Sequence, residues 1–511
     1  RFLSLAGASC LVVVTLALAT GPTPGTFRRT WAAGLAPDVA FVVELAPSTL
    51  GLLVVVAAAG FALLISLYAF RAMAGEYWEG KFHACLLWTF AGAATVALAG
   101  NLLVLLVGWE LVTLMLFLMI CMGRRDTRSG AAKAYGVLGF ADACLLLAVV
   151  LLVAAPGGVR NLSLTAEARA VTELGPTGYL IYVLILLAAL AKAGAVPLHT
   201  WIPAAATDAP APVLAYLPAA LDKLLGIYLL AVVSLRVFRP DEAMQLVMML
   251  VGAVTILAAV LMAMVQHNLK RLLSFHAVSQ VGYMVLGIGT GTPIGAIGGL
   301  FHMLNHAIYK SGLFLMGGTV GRAAGSDELD RMGGLARRLP VTFVCGLVAA
   351  AAISGVPPFN GFVSKWLVYQ GALQVPNRGL GLVLVVVAVF GSALTLASFV
   401  KVMYSAFLSP APRPAPAGAA PRESFFLAAP MVVLAAACVV LGLVPSPILN
   451  GVFAPVVDTA GIGAVDLAAG TTELATPVGL WGPTQATGLI LIGLLLGLTL
   501  VWLASRRSAV R

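Results

Sequence analysis

Residues 191–203 read AKAGAVPLHTWIP, and they place glycine, valine and proline inside an otherwise apolar stretch. Residues 353–366, ISGVPPFNGFVSKW, repeat the pattern later in the chain, and a lysine stands close to each interruption. Broken backbone at membrane depth persists only where it is buried in protein or lines a wet cavity. A pair of broken helices in the two halves of a chain is typical of inverted-repeat transporters. Two ordinary proline kinks, which are common in membrane helices, would give the same pattern.

The composition of the chain excludes a water-soluble protein. Of its 511 residues, 61% are hydrophobic and only 10% are charged, whereas about a quarter of the residues in a soluble domain are charged. The net charge of +10 does not require a nucleic-acid partner, because membrane proteins carry their excess Lys and Arg in cytoplasmic loops. The sequence therefore predicts a polytopic protein of the lipid bilayer that binds no nucleic acid.

The apolar stretches predict an all-α fold with about fourteen transmembrane helices. A spanning helix needs about 20 apolar residues. By that measure the spans lie at 2–20, 50–70, 82–99, 101–122, 133–155, 177–199, 210–236, 244–265, 272–290, 294–318, 340–374, 379–408, 425–444 and 485–504.

The distribution of basic residues predicts the orientation of these spans. Lys and Arg are more numerous in alternate loops, among them the loops that contain 270–271, 322–338 and 506–507. By the positive-inside rule these loops face the cytoplasm, which requires the segment 340–374 to cross once despite its two prolines. The proline- and alanine-rich residues 409–424 predict a stiff cytoplasmic connector.

Ionisable residues are unusually frequent inside the predicted spans. Such residues are costly in a bilayer and usually mark a transport pathway or a proton relay. Ten of them are Glu110, Asp142, Lys192, Asp222, Lys223, His302, His306, Lys310, Lys365 and Lys401.

These residues differ in how readily a structural role explains them. Lys365 and Lys401 could lie near helix ends and extend to the headgroups. Asp142 could be a single hydrogen-bonded carboxyl group, and Asp222 need not pair with the Lys223 that follows it. Glu110 stands about nine residues from either end of its span, which is too far to reach the membrane surface.

The stretch FHMLNHAIYKSG, residues 301–312, contains the densest group of titratable side chains. His302, His306 and Lys310 are four residues apart in turn, so a helix presents them on nearly one face. Histidine changes its charge near neutral pH, which suits a proton relay, and His276 is a further candidate. A His-x3-His pair can also bind zinc, but no third ligand is evident and the six cysteines are scattered singly. We therefore predict no metal and no cofactor in this chain.

Several of these stretches resemble the antiporter-like membrane subunits shared by respiratory complex I, the membrane-bound energy-converting hydrogenases and the multisubunit sodium/proton antiporters. The resemblance rests on GWELVTLMLF, LAKAGAVPLHTWIPAAATDAPAPVLAYL, HNLKRLLSFHAVSQVGYMVLGIGTG, GGLFHMLNHAIYKSGLFLMGG and ISGVPPFNGFVSKWLVYQGA. It implies two five-helix units that are related by inverted symmetry, each with one broken helix. It also implies four regions: N-terminal helices at 1–100, half-channels at 101–236 and 244–408, and a C-terminal connector with transmembrane helices at 409–511.

On matching positions the resemblance implies which side chains move protons. The implied relay residues are Glu110, Lys192, Lys223, His302, His306, Lys310 and Lys365, with Asp142, His199, Asp222, His276 and Lys401 as candidate accessory groups. Two features depart from the family. Asp222 beside Lys223 is not general in it, and the family has one more span before VELAPSTLGLL, so we expect an N-terminus shortened by about one helix.

The resemblance implies a proton-translocating membrane subunit of a redox-driven complex, similar to NADH-quinone oxidoreductase or to an energy-converting hydrogenase. Such a chain carries no electrons itself; its partners are other antiporter-like membrane subunits and soluble redox subunits in a bacterial cell (inner) membrane. Two alternatives use the same proton path: a subunit of a multisubunit sodium/proton antiporter, and the membrane subunit of a proton-coupled inorganic carbon uptake system. A self-contained solute carrier would have a substrate pocket at the midplane, whereas here the titratable groups extend across both halves.

Overall fold

Each of the fourteen segments that the sequence predicts to cross the membrane contains a helix in the computed structural model. The structure describes residues 1–21, 25–33, 40–123, 128–158, 162–165, 168–410, 423–463, 465, 467, 473–476 and 479–508. The predicted connector at 409–424 lies almost wholly outside these residues. Within the described ranges, eleven helical spans are long and apolar enough to cross a bilayer.

Most of the helices follow one another with short connections, and the longest connection lies between α1 and α2. The first half contains α1 (Phe2–Thr20), α2 (Thr49–Ala72), α3 (Glu79–Leu98), α4 (Leu102–Ile120), α5 (Arg128–Ala154), α6 (Gly175–Ala193), α7 (Trp201–Asp208), α8 (Ala211–Tyr216) and α9 (Asp222–Val232). The second half contains α10 (Glu242–Met264), α11 (Leu269–Gly289), α12 (Pro293–Ala324), α13 (Pro340–Ser354), α14 (Asn360–Leu373), α15 (Arg378–Met403), α16 (Phe425–Leu443), α17 (Ser446–Ile448), α18 (Ala454–Thr459) and α19 (Pro483–Ser508). A π-helical turn at Leu217–Leu221 joins α8 to α9, so these two helices form one continuous crossing.

Three two-stranded sheets occur in the connections. β1 (Phe27–Ala33) pairs antiparallel with β2 (Ala40–Leu45), with Phe27 opposite Leu45. β3 (Arg169–Ala170) pairs in parallel with β4 (Phe238–Arg239), and β5 (Leu474–Thr476) pairs antiparallel with β6 (Gly479–Trp481). The middle sheet links the segment before α6 to the segment after α9.

The helices form two successive runs of five crossings, which confirms the predicted inverted repeats. The first run comprises α3, α4, α5, the broken pair α6 and α7, and α8–α9; the second comprises α10, α11, α12, the broken pair α13 and α14, and α15. The broken crossing is the fourth in both runs. Because five crossings separate the first helices of the two runs, the runs enter the membrane from opposite sides, as in inverted-repeat transporters. The first run includes α3, which precedes the half-channel boundary predicted at residue 101.

The two breaks share one backbone design. Gly194 ends α6 with φ 83° and Gly355 ends α13 with φ 78°. At each site the next residue donates back across the last turn, from Ala195 N to Leu190 O at 2.8 Å and from Val356 N to Ala351 O at 3.0 Å. This is the hydrogen-bond pattern of a glycine-capped helix end. In both breaks the third residue after the glycine is a proline with a cis peptide bond, Pro197 and Pro358.

Helix α12 occupies the centre of the bundle. It is 32 residues long and buried without interruption from Ile294 to Val320, and it packs against α8, α11, α13, α14 and α16. It is absent from the eleven apolar spans because its polar residues lower its hydropathy. Beside it, α10 and α11 approach closely at Gly252 and Gly282, where an added Cβ would lie 2.6 Å from Leu286 N and 2.7 Å from Ile256 N. Small residues at such crossings let membrane helices pack backbone to backbone.

We expect Gly194→Ala to destabilise the protein. The left-handed conformation costs an L-residue about 1–2 kcal/mol, and the new Cβ would collide with the Ile202 Cδ1 atom. The matched control is Gly139→Ala in α5, where an added Cβ meets no atom within 4 Å and alanine favours the helix. Thermal unfolding of the purified variants should give a lower midpoint for Gly194→Ala only; equal midpoints would contradict this account of the break.

Candidate functional site

Lys192 lies at the end of α6, immediately before the first break, with its side chain fully buried. Its ammonium donates to Thr113 Oγ1 at 2.8 Å and to Trp109 O at 3.2 Å, and it lies 4.7 Å from the centre of the Trp109 ring. The carbonyl end of a helix favours a positive charge, and an aromatic face attracts a desolvated cation. These contacts hold the lysine without a carboxylate: no ion pair within 4.0 Å involves Lys192 among the described residues.

Asp142 approaches the same tryptophan from α5. Its side chain is buried, and Oδ1 accepts a hydrogen bond from Trp109 Nε1 at 2.6 Å. Its other oxygen, Oδ2, has no hydrogen-bond partner in the described part of the chain. Trp109 therefore bridges a carboxylate and an ammonium that do not contact each other directly.

Glu110 does not lie in the buried relay that the sequence predicts. Its side chain is exposed, although α4 carries it to mid-span. The exposed positions Val107, Leu114 and Leu118 share its helix face, because residues three or four apart lie on one side of a helix. The position in the span fixes the depth of Glu110, but α3 and α5 cover only the other sides of α4.

The second cluster lies on α9, beside the first break. Asp222 and Lys223 are both fully buried. Lys223 Nζ lies 5.4 Å from the centre of the Trp201 ring, and Trp201 Nε1 donates to Ala191 O at 2.9 Å across the break. In the described ranges, the two carboxylate oxygens of Asp222 and the Nζ atom of Lys223 have no hydrogen-bond partner. These two neighbouring side chains therefore do not bond to each other.

The third cluster is the stripe on α12. His302, His306 and Lys310 are all fully buried. His302 hydrogen-bonds through Nδ1 to Ser364 Oγ at 2.8 Å and through Nε2 to Tyr309 OH at 3.2 Å.

The other two members of this stripe lack protein partners among the described residues. Neither ring nitrogen of His306 makes a hydrogen bond, and the ammonium of Lys310 makes none either. The Lys310 ammonium lies 5.6 Å from the Phe314 ring centre and 5.7 Å from that of Phe399.

Lys365 is also buried, so it does not extend to the headgroups as one interpretation of the sequence allowed. Its ammonium donates to Ile353 O, at the end of α13, at 2.8 Å. The same ammonium lies 4.6 Å from the centre of the Tyr283 ring, which is itself 5.5 Å from the His302 ring. Tyr283 therefore stands between Lys365 and the α12 stripe.

The remaining candidates differ in position. His276 is buried and hydrogen-bonds to Ser398 Oγ at 2.8 Å, and its ring centre lies 4.8 Å from that of the Phe399 ring, which is also near Lys310. His199 lies in the first break, between α6 and α7. Lys401 is only half-buried and donates to Met264 O and Gln266 O at 3.0 Å each, at the end of α10. It therefore fits the helix-end interpretation.

Sequence analysis missed the polar residues that tie these groups together. Asn305 Nδ2 donates to Asn360 O, and Asn360 Nδ2 donates to Asn305 Oδ1, both at 3.0 Å, which joins α12 to α14. Asn305 and Tyr309 follow His302 by three and seven residues, so helical periodicity could have assigned them to the same face. The partners Asn360 and Ser364 come from another helix, and no local pattern identifies them.

Unpaired buried polar atoms concentrate along these clusters. A buried polar atom without a partner is destabilising and is expected to have a specific cause. In the described ranges these atoms include Asp142 Oδ2, Asp222 Oδ1 and Oδ2, Lys223 Nζ, His276 Nδ1, Gln280 Nε2 and Oε1, both ring nitrogens of His306, and Lys310 Nζ. The same ranges contain no group of three or more His, Cys, Asp or Glu side chains that could hold a metal ion.

The known relatives of this chain include both NADH-quinone oxidoreductase subunits and cation/proton antiporter subunits. The family model described as NADH:quinone oxidoreductase/Mrp antiporter, TM matches residues 99–395. The NADH-quinone oxidoreductase subunit N of Desulforudis audaxviator is 32% identical over 472 residues, which are 88% of this chain and 91% of that protein. The Na(+)/H(+) antiporter subunit A1 of Staphylococcus haemolyticus is 31% identical over 419 residues, 78% of this chain and 52% of that protein. The chain thus spans about half the length of the antiporter subunits that it matches.

A solved structure shares the fold. The membrane-bound sulfane sulfur reductase, an archaeal respiratory membrane complex, contains a chain that superposes with a TM-score of 0.82. The alignment covers 98% of this chain and 80% of that one at 24% sequence identity.

We expect Asn305→Ala to loosen the contact between α12 and α14. The substitution leaves the Asn360 side-chain amide buried without its acceptor, which costs about 1–3 kcal/mol. The matched control is Gln374→Ala, since Gln374 is half-buried at the end of α14 and its side chain makes no hydrogen bond to any described residue. Thermal unfolding should show a lower midpoint for Asn305→Ala than for Gln374→Ala, and the reverse order would contradict the role assigned to this amide pair.

Proposed function

Because the chain belongs to the NADH:quinone oxidoreductase/Mrp antiporter transmembrane family, we propose that it is a proton-translocating membrane subunit of a redox-driven complex. The observation that carries the proposal is the series of buried ionisable side chains that extends from Lys192, at the first break, to Lys365, at the second. A charged group at mid-membrane costs about 3 kcal/mol even by the lowest scales. A fold that keeps so many of them serves the movement of charge.

The proton relay runs through four helices in this proposal, α6, α9, α12 and α14. It begins at Lys192, passes Lys223 on α9, continues along the α12 stripe and ends at Lys365. The structure supports this order because α9 and the π turn before it pack against α12, and Tyr283 contacts both His302 and Lys365.

The lysines act as storage sites and the histidines as transfer sites. Buried lysines are known to exchange protons in proteins, and here aromatic rings stabilise the ammonium without fixing it in an ion pair. His302 bonds through both ring nitrogens, to Ser364 and Tyr309, so it can accept a proton on one side and release one on the other. Ordered water commonly bonds unpaired buried polar atoms, and such water would complete the path at His306 and Lys310.

The two breaks give the relay access to both membrane surfaces. Each break ends a helix inside the bundle and exposes backbone carbonyls that a continuous helix would satisfy. Lys192 and Lys365 lie at these points, the first before its break and the second after it. Because the two repeats are inverted, one break serves entry and the other serves exit.

The exposed position of Glu110 is an argument that a further membrane subunit covers this face of α4. An isolated carboxylate facing hydrocarbon is unfavourable, and the exposed residues around it on α4 are all apolar. We place another antiporter-like subunit against this face and the electron-transfer chemistry in soluble partner subunits. The complex would lie in a bacterial cell membrane.

A subunit of a multisubunit sodium/proton antiporter is the second candidate. The 31% identity to an antiporter subunit A1 favours it. The redox-driven complex remains the first choice because the match to subunit N extends over 91% of that protein, against 52% of the antiporter subunit.

Transport by the purified complex in sealed vesicles distinguishes the two candidates. The redox-driven complex predicts proton uptake that starts with an electron donor and acceptor and proceeds equally with and without sodium. The composition of the complex should include redox subunits. Uptake that needs sodium and survives the loss of every redox subunit would overturn the first candidate and support the antiporter.

We expect Glu110→Gln to abolish charge translocation, with at least a tenfold loss of rate, while the complex still assembles. The amide keeps the shape of the side chain but cannot carry the charge. The matched control is Glu242→Gln, because Glu242 is an exposed carboxylate at the start of α10. Proton uptake in vesicles reports transport and a native gel reports assembly. Normal pumping by an assembled Glu110→Gln complex would show that translocation does not need the Glu110 carboxylate.

A further inference from the structure

An apolar groove separates α13 from α16 on the outer surface of the bundle. Its volume is about 490 Å³. The lining residues are Pro340, Val341, Val344, Cys345 and Val348 on α13, and Val432, Ala435, Ala436 and Val439 on α16.

Side-chain size explains the shape of the groove. The small residues Cys345, Ala435 and Ala436 lie between valines on the two helices, so the surface is recessed where the helices meet. The valines Val344 and Val432 are 56% and 46% exposed, which shows that nothing else in the described chain covers the rims. A recess lined almost wholly by hydrocarbon suits a ligand chain of the same chemistry.

The groove begins at one membrane surface and runs inward. Its first residue, Pro340, is also the first residue of α13, and the last residue that it takes from this helix is Val348. At 1.5 Å per residue this length is about 12 Å along the helix axis. A single leaflet of hydrocarbon is about 15 Å deep. On α16, which starts at the same end as α13, the lining residues lie about 10–21 Å from the helix start, so the groove opens where α13 begins and is longer than one leaflet. The basic loops on this side predict that the groove opens at the cytoplasmic surface.

Two arginines stand at the mouth of the groove. Arg337 and Arg338 precede Pro340 by three and two residues, and both side chains are exposed. Neither makes an ion pair or a side-chain hydrogen bond within the described residues.

The carboxylate at the start of α13 is already engaged in hydrogen bonds. Glu423 accepts from Val341 N at 3.1 Å and from Thr342 N at 2.6 Å, so it occupies the amide groups at the start of α13. A helix N-terminus stabilises such a carboxylate. The guanidinium groups of Arg337 and Arg338 thus stay available for an anion at headgroup level.

We propose that this groove binds an anionic phospholipid of the cytoplasmic leaflet. One acyl chain lies in the recess between α13 and α16, and the phosphate is held by Arg337 and Arg338. Basic pockets between transmembrane helices on the cytoplasmic side bind anionic headgroups in this way, and guanidinium groups suit phosphate geometry. Two free positive charges select a headgroup with a net negative charge over a zwitterionic one.

Photolabelling of the purified complex tests the proposal. The probe is phosphatidylglycerol with a diazirine in one acyl chain, and mass spectrometry maps the labelled peptides. We expect labelling of residues 340–348 and 432–439 that a tenfold excess of unlabelled phosphatidylglycerol suppresses and phosphatidylcholine does not. The exposed face of α15 around Val383 and Val386 reports general lipid contact and should respond equally to both competitors.

Two pairs of variants separate the headgroup from the groove. Combined R337Q and R338Q should reduce groove labelling at least fivefold, whereas R378Q, an exposed arginine at the start of α15, should leave it unchanged. Ala436→Phe should fill the recess and remove the label. Val433→Phe, at an exposed position of α16 outside the groove, should not.

Three results would overturn the proposal. Labelling that both lipids suppress equally would mean ordinary annular lipid. Labelling that persists in the R337Q and R338Q variant would remove the headgroup site. A groove that stays unlabelled while its residues crosslink to another subunit would show that a protein helix is the occupant.

Discussion

The cost of holding charge in a medium without water governs the interior of this protein. Lys192, Lys223, Lys310 and Lys365 are all buried, and none of them makes an ion pair within 4.0 Å in the described part of the chain. Each ammonium lies within 6 Å of an aromatic ring centre instead. An ion pair would hold a charge in place, because breaking a buried pair costs about 3–5 kcal/mol. A ring at this distance attracts a desolvated ammonium by about 2 kcal/mol. This weaker attraction allows the lysine to lose and regain its proton.

The cost of unsatisfied polar groups in lipid also explains where the backbone is broken. Unsatisfied carbonyls and charged side chains both require an environment closed to lipid, so the breaks and the lysines occur together, inside the bundle. Lys365 donates to Ile353 O at the end of α13, and Lys192 lies at the carbonyl end of α6. A broken helix thus supplies the acceptors or the dipole that a buried ammonium lacks in hydrocarbon. The surrounding helices, above all α12, provide the enclosure.

The breaks and the buried stripe could be predicted from the sequence because each is marked by residues that are close together in the chain. Gly194 and Gly355, each followed three residues later by a proline, mark the breaks, and the helical spacing of His302, His306 and Lys310 marks the buried stripe. Contacts between distant segments are not encoded locally. The pairing of Asn305 with Asn360 and of His302 with Ser364 depends on how α14 packs on α12. The exposure of Glu110 was also missed, because its place in the span reveals depth but not which face its neighbours cover.

Glu110 and the lysines therefore differ in where the contacts that stabilise their charges come from. The chain itself places an aromatic ring beside each lysine, and it gives Lys192 and Lys365 hydrogen-bond acceptors as well. Among the described residues the Glu110 side chain makes no hydrogen bond or ion pair, and its neighbours on the exposed face of α4 are Val107, Leu114 and Leu118. Under the proposed function this carboxylate obtains its stabilisation from a neighbouring subunit. The free energy of that contact would then depend on the charge of Glu110, since a carboxylate left without a partner is costly in hydrocarbon. Protonation and assembly would be linked at this face, so a proton reaching Glu110 would alter the same interface that positions it.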